Sequence, residues 1–410
     1  MLFLKEFISG AQILFVAFGA LVLVPLLTGL NPAMALLGAG VGTLLFQIVT
    51  KGKVPIFLGS SFAFIGPIIY AIQTWGIGAT QFGLFAAGFT YFIFALIVKW
   101  RGIGLINRLL PPVVIGPIII VIGLSVAVSA SQMAMGQSGG EQVVSYGASI
   151  FLATVSLMTT IIVSIFAKGM LKLLPILSGV IVGYITAVCL GLVNFEPIIA
   201  AQWFSMPHFT PIEVSWAAAL FMLPVAIAPI IEHIGAVMAV GKVTGEDYTK
   251  TPGLQKTLAG DGLGVCFAGL IGGPPITTYS EVTGALMITR NFKPKIMIYA
   301  AILAVCLAFF GKFNAILLSI PLPVMGGIMV LLFGTIASIG LKTIIDAKID
   351  LMVPRNLVIV SVILTCGIGG LILKIDSTVN LSGVGLVSIL AIILNLLLPQ
   401  APETEEHVPN

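Results

Sequence analysis

The stretch IGGPPITTYSEVTGALMITR, residues 271–290, decides how the rest of the chain is read. It starts apolar, breaks at Gly272-Gly273-Pro274-Pro275, and passes through a short β-favouring run, Ile276-Thr277-Thr278-Tyr279. It then places one acid, Glu281, at the head of a second apolar run. A plain membrane-spanning helix has no use for that design. Two adjacent prolines remove backbone donors and stop a helix. Backbone freed of its hydrogen bonds at membrane depth survives only when it is buried in protein or lines a cavity. A carboxylate at that depth is costly and marks a substrate or ion site.

The surroundings are those of a membrane protein. Of 410 residues, 59% are hydrophobic and only 8% are charged, where a soluble domain carries about a quarter charged residues. At roughly 20 apolar residues per span, the length accommodates about a dozen spans or slightly more. The apolar runs predict fourteen, at 8–29, 31–49, 54–73, 79–98, 109–129, 147–167, 171–194, 215–239, 256–272, 276–289, 295–311, 322–341, 355–373 and 380–399. The first run is long enough to be a span itself, so no cleavable signal peptide is expected. Cys189, Cys266, Cys306 and Cys366 stand singly in apolar runs, with no metal or disulfide spacing. The net charge of +4 calls for no nucleic-acid partner, because the basic residues sit in loops.

Charge sets the orientation. With the N-terminus inside, Lys5, Lys51, Lys53, Lys99, Arg101, Arg108, Lys168, Lys172, Lys242, Lys250, Lys256, Arg290, Lys293, Lys295, Lys342, Lys348 and Arg355 fall on the cytoplasmic side, and only Lys312 and Lys374 fall outside. That bias is the positive-inside pattern. An even span count puts both termini in the cytoplasm. Residues 401–410 form a short acidic tail expected to be disordered.

The two halves repeat weakly. Pro112-Val113-Val114-Ile115-Gly116 opens span five, and Pro323-Val324-Met325-Gly326-Gly327 opens span twelve. Span three carries Gly59-Ser60-Ser61-Phe62-Ala63-Phe64 before Gly66-Pro67, and span ten carries the stretch quoted first. Seven spans per half is an odd number, so the repeats have inverted topology. Paired Gly/Pro-interrupted segments at corresponding positions point to a transporter binding site near the midplane.

Nearly all acids lie in loops, tails or span starts; the two placed deeper are Glu232, in Ile230-Ile231-Glu232-His233-Ile234-Gly235, and Glu281. Burial disfavours the charged form of a carboxyl, so either could bind and release protons. A protonated Glu donates one hydrogen bond and accepts another, which suits a planar ligand with alternating N–H and C=O groups. His233 faces about 100° away from Glu232 on a helix and reads as packing or support. Asp261, in Gly260-Asp261-Gly262, reads as a helix-cap acid near the cytoplasmic face. Ser60, Ser61 and Phe62 offer exposed backbone groups and an aromatic face for stacking a heterocycle. No metal-ligand cluster or nucleophile–base constellation is present, so no metal, no organic cofactor and no enzyme are expected.

Nearly the whole chain resembles the nucleobase–ascorbate transporter (nucleobase–cation symporter) family, and within it the bacterial uracil permeases. The matching segments are KGKVPIFLGSSFAFIGP (51–67), IIEHIG (230–235), TTYSE (277–281) followed by MITR (287–290), SIPLPVMGG (319–327), and Gln12 with FGALVLVP (18–25). The resemblance implies an all-α polytopic fold of fourteen segments in two inverted seven-segment repeats, with short extended segments in spans three and ten. It implies a core domain (1–103 and 201–313) that holds the substrate and a gate domain (104–200 and 314–400) that carries homodimer contacts. It implies proton-coupled uracil symport by alternating access in a bacterial inner membrane. Substrate-site positions carried over are Glu232, Glu281, Phe62, Ser280, Tyr279, Ser61 and Ala20, with Glu232 and Glu281 coupling protons. The backbone at Phe62 and Ser280 would bond the substrate carbonyls.

The chain departs from the family's uracil-transporter pattern at Ile13, Ala236, Ser280, Val282 and Phe333, where the pattern has His, His, Gly, Asn and Tyr. Glu281, in place of the Gln of purine-type members, favours a pyrimidine. The alternatives are a purine (xanthine or guanine) proton symporter, and an anion transporter or channel of the related fold.

Overall fold

The computed structural model of the chain describes residues 2–279, 281–289, 291–374 and 380–399. Ser280 and the acidic tail expected at 401–410 lie outside them. The elements run α1 (Leu2–Thr28), α2 (Pro32–Val49), β1 (Leu58–Ser60), α3 (Ile65–Arg101), α4 (Ile103–Leu109), α5 (Pro112–Ser125), α6 (Ala127–Ala134), β2 (Gln137–Ser138), β3 (Glu141–Gln142), α7 (Tyr146–Phe166), α8 (Pro175–Cys189), α9 (Glu196–Ala200), α10 (Trp216–Met222), α11 (Ile227–Thr244), α12 (Leu254–Ile271), β4 (Ile276–Thr278), α13 (Glu281–Thr289), α14 (Lys295–Ala308), α15 (Gly311–Leu318), α16 (Leu322–Asp346), α17 (Pro354–Ile368), β5 (Ile372–Lys374), β6 (Asn380–Ser382) and α18 (Gly383–Leu397).

Among the described residues, seven helical stretches are long and apolar enough to cross a membrane, and four shorter apolar helices accompany them. The protein is therefore a multi-pass membrane protein. One stretch, Phe62–Arg101, is about twice the length of a span. It is divided at Gly76, whose φ of 84° and ψ of 173° lie outside the helical region. Spans three and four of the sequence reading are thus the two arms of one run.

The helices pack as two bundles. In one, α12 packs on α2 and α3, α14 on α1 and α2, and α10 on α3. In the other, α16 packs on α5, α6 and α7, α8 on α7, and α17 and α18 on α5 and on each other. The first bundle is tightened by glycine. A Cβ at Gly262 of α12 would sit 2.7 Å from Tyr91 Cβ and 3.1 Å from the Gly88 carbonyl oxygen of α3. Small residues at such crossings let helix backbones approach in the membrane. Gly262→Leu is expected to cost about 1–3 kcal/mol through overpacking, read as a lowered thermal midpoint of the detergent-purified protein. Gly104→Ala, where a Cβ meets open space, serves as the neutral comparison.

Two connections between the bundles are tied to each other. Lys312 Nζ donates to the carbonyls of Ile198 and Ile199 at 2.8 and 2.7 Å. Beside it, Gly311 N donates to Trp203 O at 3.0 Å and Ser205 N to Phe309 O at 3.1 Å. The connection through α4 is instead held to the second bundle, where Asn395 Nδ2 donates to Arg108 O at 2.8 Å.

Candidate functional site

The first bundle contains two interrupted helices that meet. The helix α12 ends where Gly272 adopts φ of 87°, the left-handed conformation that glycine supplies without strain. Pro274 and Pro275 then forbid helix, and the chain runs extended as β4. From the earlier interruption, β1 arrives antiparallel, with Leu58 opposite Thr278, Gly59 opposite Thr277 and Ser60 opposite Ile276. Ser61 N to Pro275 O at 2.9 Å and Tyr279 N to Phe57 O at 3.1 Å extend the pairing at both ends.

The approach to β1 is satisfied by α2. Gln47 Nε2 donates to the carbonyls of Val54 and Ile56, each at 3.0 Å, and Thr43 Oγ1 accepts from Leu58 N at 2.9 Å. Extended backbone inside the bundle is thereby paired, as the absence of water demands. A helical turn starts at Phe62 just past β1, and α13 starts at Glu281 just past β4. Two helix N-termini, each with a partial positive charge, therefore converge at the strand pair.

A cavity of about 670 Å³ opens there, between the two bundles. Its first-bundle wall is Ser60, Ser61, Phe62, Thr277, Thr278, Tyr279, Glu281 and the α11 residues Ile231, Glu232, Ile234, Gly235, Ala236, Met238 and Ala239. Glu232, Gly235, Ala236 and Ala239 follow a three-and-four spacing, one face of a helix. The opposite wall is apolar, with Ile115 and Ile119 of α5 and Ile336 and Ile339 of α16. The cavity reaches Leu110, Met238 and Thr343, at the helix ends that carry Arg108, Lys242 and Lys342. One turn earlier on α16, Phe333 stacks edge-on against Phe62, with centroids 6.2 Å apart.

The wall offers unused hydrogen-bonding groups. Ser60 and Ser61 are each 1% exposed, and neither hydroxyl has a partner among the described residues. Glu281 is exposed to the cavity and Glu232 is half-buried beside it. The two carboxyls line the same cavity, and like charges in a low-dielectric cavity repel.

The structure brings Glu232, Glu281, Phe62, Ser61 and Tyr279 to one cavity. Ala20, carried over from the resemblance, is fully buried and is not part of the cavity wall. Ala236 lines the cavity where a histidine was expected, Val282 is buried away from it, and Phe333 meets it only through Phe62.

Asp261 is not a helix cap. The helix α12 begins at Leu254, earlier than the apolar run suggests, so Asp261 lies two turns inside and is 0% exposed. Its Oδ2 is 3.0 Å from His233 Nδ1. The fully buried His233 ring also reaches Thr278 Oγ1 at 2.6 Å and Thr257 Oγ1 at 3.0 Å. Sequence reasoning placed His233 correctly in a supporting position but missed this partner. The usable signal was Gly260 and Gly262 flanking the acid, which mark close packing and not a terminus.

The permease family model (Xan_ur_permease) matches residues 4–375. The probable uracil permease of Pasteurella multocida (strain Pm70) is 52% identical over 400 residues, covering 98% of this chain and 95% of the relative. The uracil permease of Bacillus caldolyticus is 46% identical over 403 residues, covering 97% and 93%. Among solved structures, the transmembrane domain of the cyanobacterial bicarbonate transporter BicA superposes with a TM-score of 0.67 at 16% identity, covering 95% of this chain and 96% of that one. At that identity the likeness is one of fold.

Proposed function

Because the chain belongs to this permease family, we propose that it is a proton-coupled uracil symporter, working by alternating access across a bacterial inner membrane with both termini in the cytoplasm. One observation carries the reading. Two carboxyls and two unpartnered hydroxyls converge where β1 and β4 pair, in a cavity between two bundles.

Uracil is a flat ring of alternating N–H and C=O groups. Protonated Glu232 donates to a ring carbonyl and accepts from a ring N–H. Glu281 accepts a second N–H and fixes the ring's angle. The backbone at Phe62 meets a ring carbonyl at the start of its helical turn, and Phe62 and Tyr279 flank the ring; the second backbone contact carried over, at Ser280, lies outside the described residues. Release of the Glu232 proton removes a donor and weakens the grip on the substrate.

The first bundle is the core and the second the gate, in fourteen spans related by inverted repeats, with the gate carrying contacts to a second copy. The cavity runs toward the helix ends with Arg108, Lys242 and Lys342. On the positive-inside rule that side is cytoplasmic, so the state is inward-open and the Phe62–Phe333 contact closes the outer side.

An anion reading is disfavoured. The described lining residues include two glutamates and no Lys or Arg, so the partial positive charge of the two helix N-termini is met by carboxyls of the protein itself. The purine reading is separated by uptake of labelled uracil into proteoliposomes. Excess unlabelled uracil is expected to block uptake and excess xanthine to leave it unchanged. Equal competition by xanthine would assign the site to purines.

A further inference from the structure

We infer that His233, held by Asp261, is a positioning residue for the substrate site: it locks strand β4 against the helix that carries Glu232. This rests on the reading of the cavity as a nucleobase site. His233 follows Glu232 directly on α11, yet its ring turns away from the cavity and is 0% exposed. There it joins three elements. It belongs to α11, it pairs with Asp261 and Thr257 of α12, and it pairs with Thr278 of β4.

The partners fix the ring. A carboxylate only accepts hydrogen bonds, so Nδ1 bears the hydrogen and shares it between Asp261 Oδ2 at 3.0 Å and Thr278 Oγ1 at 2.6 Å. Nε2 meets Thr257 Oγ1 at 3.0 Å, and the Thr257 hydroxyl itself donates to Leu254 O at 3.0 Å. Asp261 also takes the Thr277 hydroxyl at 3.4 Å, so the last two residues of β4 are tied to one acid–imidazole pair. Their chain-side neighbours are the pocket groups Tyr279 and Glu281. Glu232 is thus set against Glu281 through one buried ring, and a tilt of that ring slides β4 along α11 and alters the spacing of the two carboxyls.

The pair lies outside the cavity wall, so its loss acts on the site only through geometry. A displacement of about 1 Å at a bound reactant can cost up to about a hundredfold. In proteoliposomes, His233→Ala is expected to raise the uracil concentration for half-maximal uptake at least about tenfold, with a smaller change in maximal rate per folded transporter. Asp261→Ala is expected to match it. Asp261→Asn keeps an acceptor for Nδ1–H and is expected to stay within about threefold of the unaltered protein. Thr257→Val removes only the far-side hydroxyl and is expected to raise half-saturation about threefold or more. It supplies the test if His233→Ala does not fold, as judged by gel filtration and thermal unfolding.

Unchanged half-saturation in folded His233→Ala or Thr257→Val overturns the inference, because a purely structural role lowers yield and not apparent affinity. So does an Asp261→Asn protein that exchanges uracil normally but no longer accumulates it, since the pair would then be carrying protons. Failure of the unaltered protein to bind uracil is a different result and would overturn the nucleobase reading itself.

Discussion

Glu232→Gln is expected to reduce gradient-driven uracil accumulation by about a hundredfold or more, equivalent to about 2.8 kcal/mol at about 1.4 kcal/mol per decade, while leaving a folded protein that still binds uracil. The glutamine has nearly the same volume, and Glu232 is half-buried on a helix face lined by Gly235, Ala236 and Ala239, so the substitution fits. The amide still donates and accepts, which preserves most of the grip on the ring. What it cannot do is release a proton. The outward and return journeys then occur with the same donor in place, and the proton gradient no longer drives the cycle. Uptake and accumulation into proteoliposomes with an imposed pH gradient, alongside binding in detergent, check this. Normal accumulation by Glu232→Gln would remove Glu232 from the coupling role.

Glu281→Ala is expected to weaken uracil binding by about 5- to 150-fold. It strips the cavity of an acceptor, leaving a ring N–H unpaired at about 1–3 kcal/mol. A second, smaller effect has a different origin. Glu281 occupies the first turn of α13, where a negative charge is favoured by about 0.3–1 kcal/mol. Glu281→Gln separates the two, because it keeps the acceptor and removes the charge. Binding close to that of the unaltered protein is expected for Glu281→Gln and a large loss for Glu281→Ala. Equal large losses in both would mean that the charge, and not the hydrogen bond, holds the substrate.

Much of this arrangement is legible in the sequence because the membrane makes exceptions conspicuous. A double proline and a glutamate within apolar runs have few purposes at membrane depth, and they marked the site. The seven-span offset between residues 59–67 and 271–290 indicated which two interruptions correspond. The antiparallel register of β1 on β4, and the supply of hydrogen bonds from Thr43 and Gln47, could not be read, because both depend on how α2 packs behind the strand. Asp261 was misread for a related reason: the apolar window that placed span nine at 256 hid two further residues of helix. The apolar cavity wall, Ile115, Ile119, Ile336 and Ile339, leaves no trace at all. Isoleucine facing a cavity and isoleucine facing lipid look the same in a chain that is 59% hydrophobic. Ala20 came from the resemblance alone, and it is fully buried outside the cavity wall.

The most direct test of the central claim is calorimetric titration of the purified protein with uracil at about pH 5.5 and about pH 8, on either side of the range in which a buried carboxyl can change its charge. A protonated Glu232 as the ligand-binding form gives uracil binding at the lower pH that weakens as pH rises and the donor is lost. Folded protein that binds no uracil at either pH would contradict the account, and would mean that Ala236, on the cavity wall where the uracil-transporter pattern has His, has changed the substrate itself.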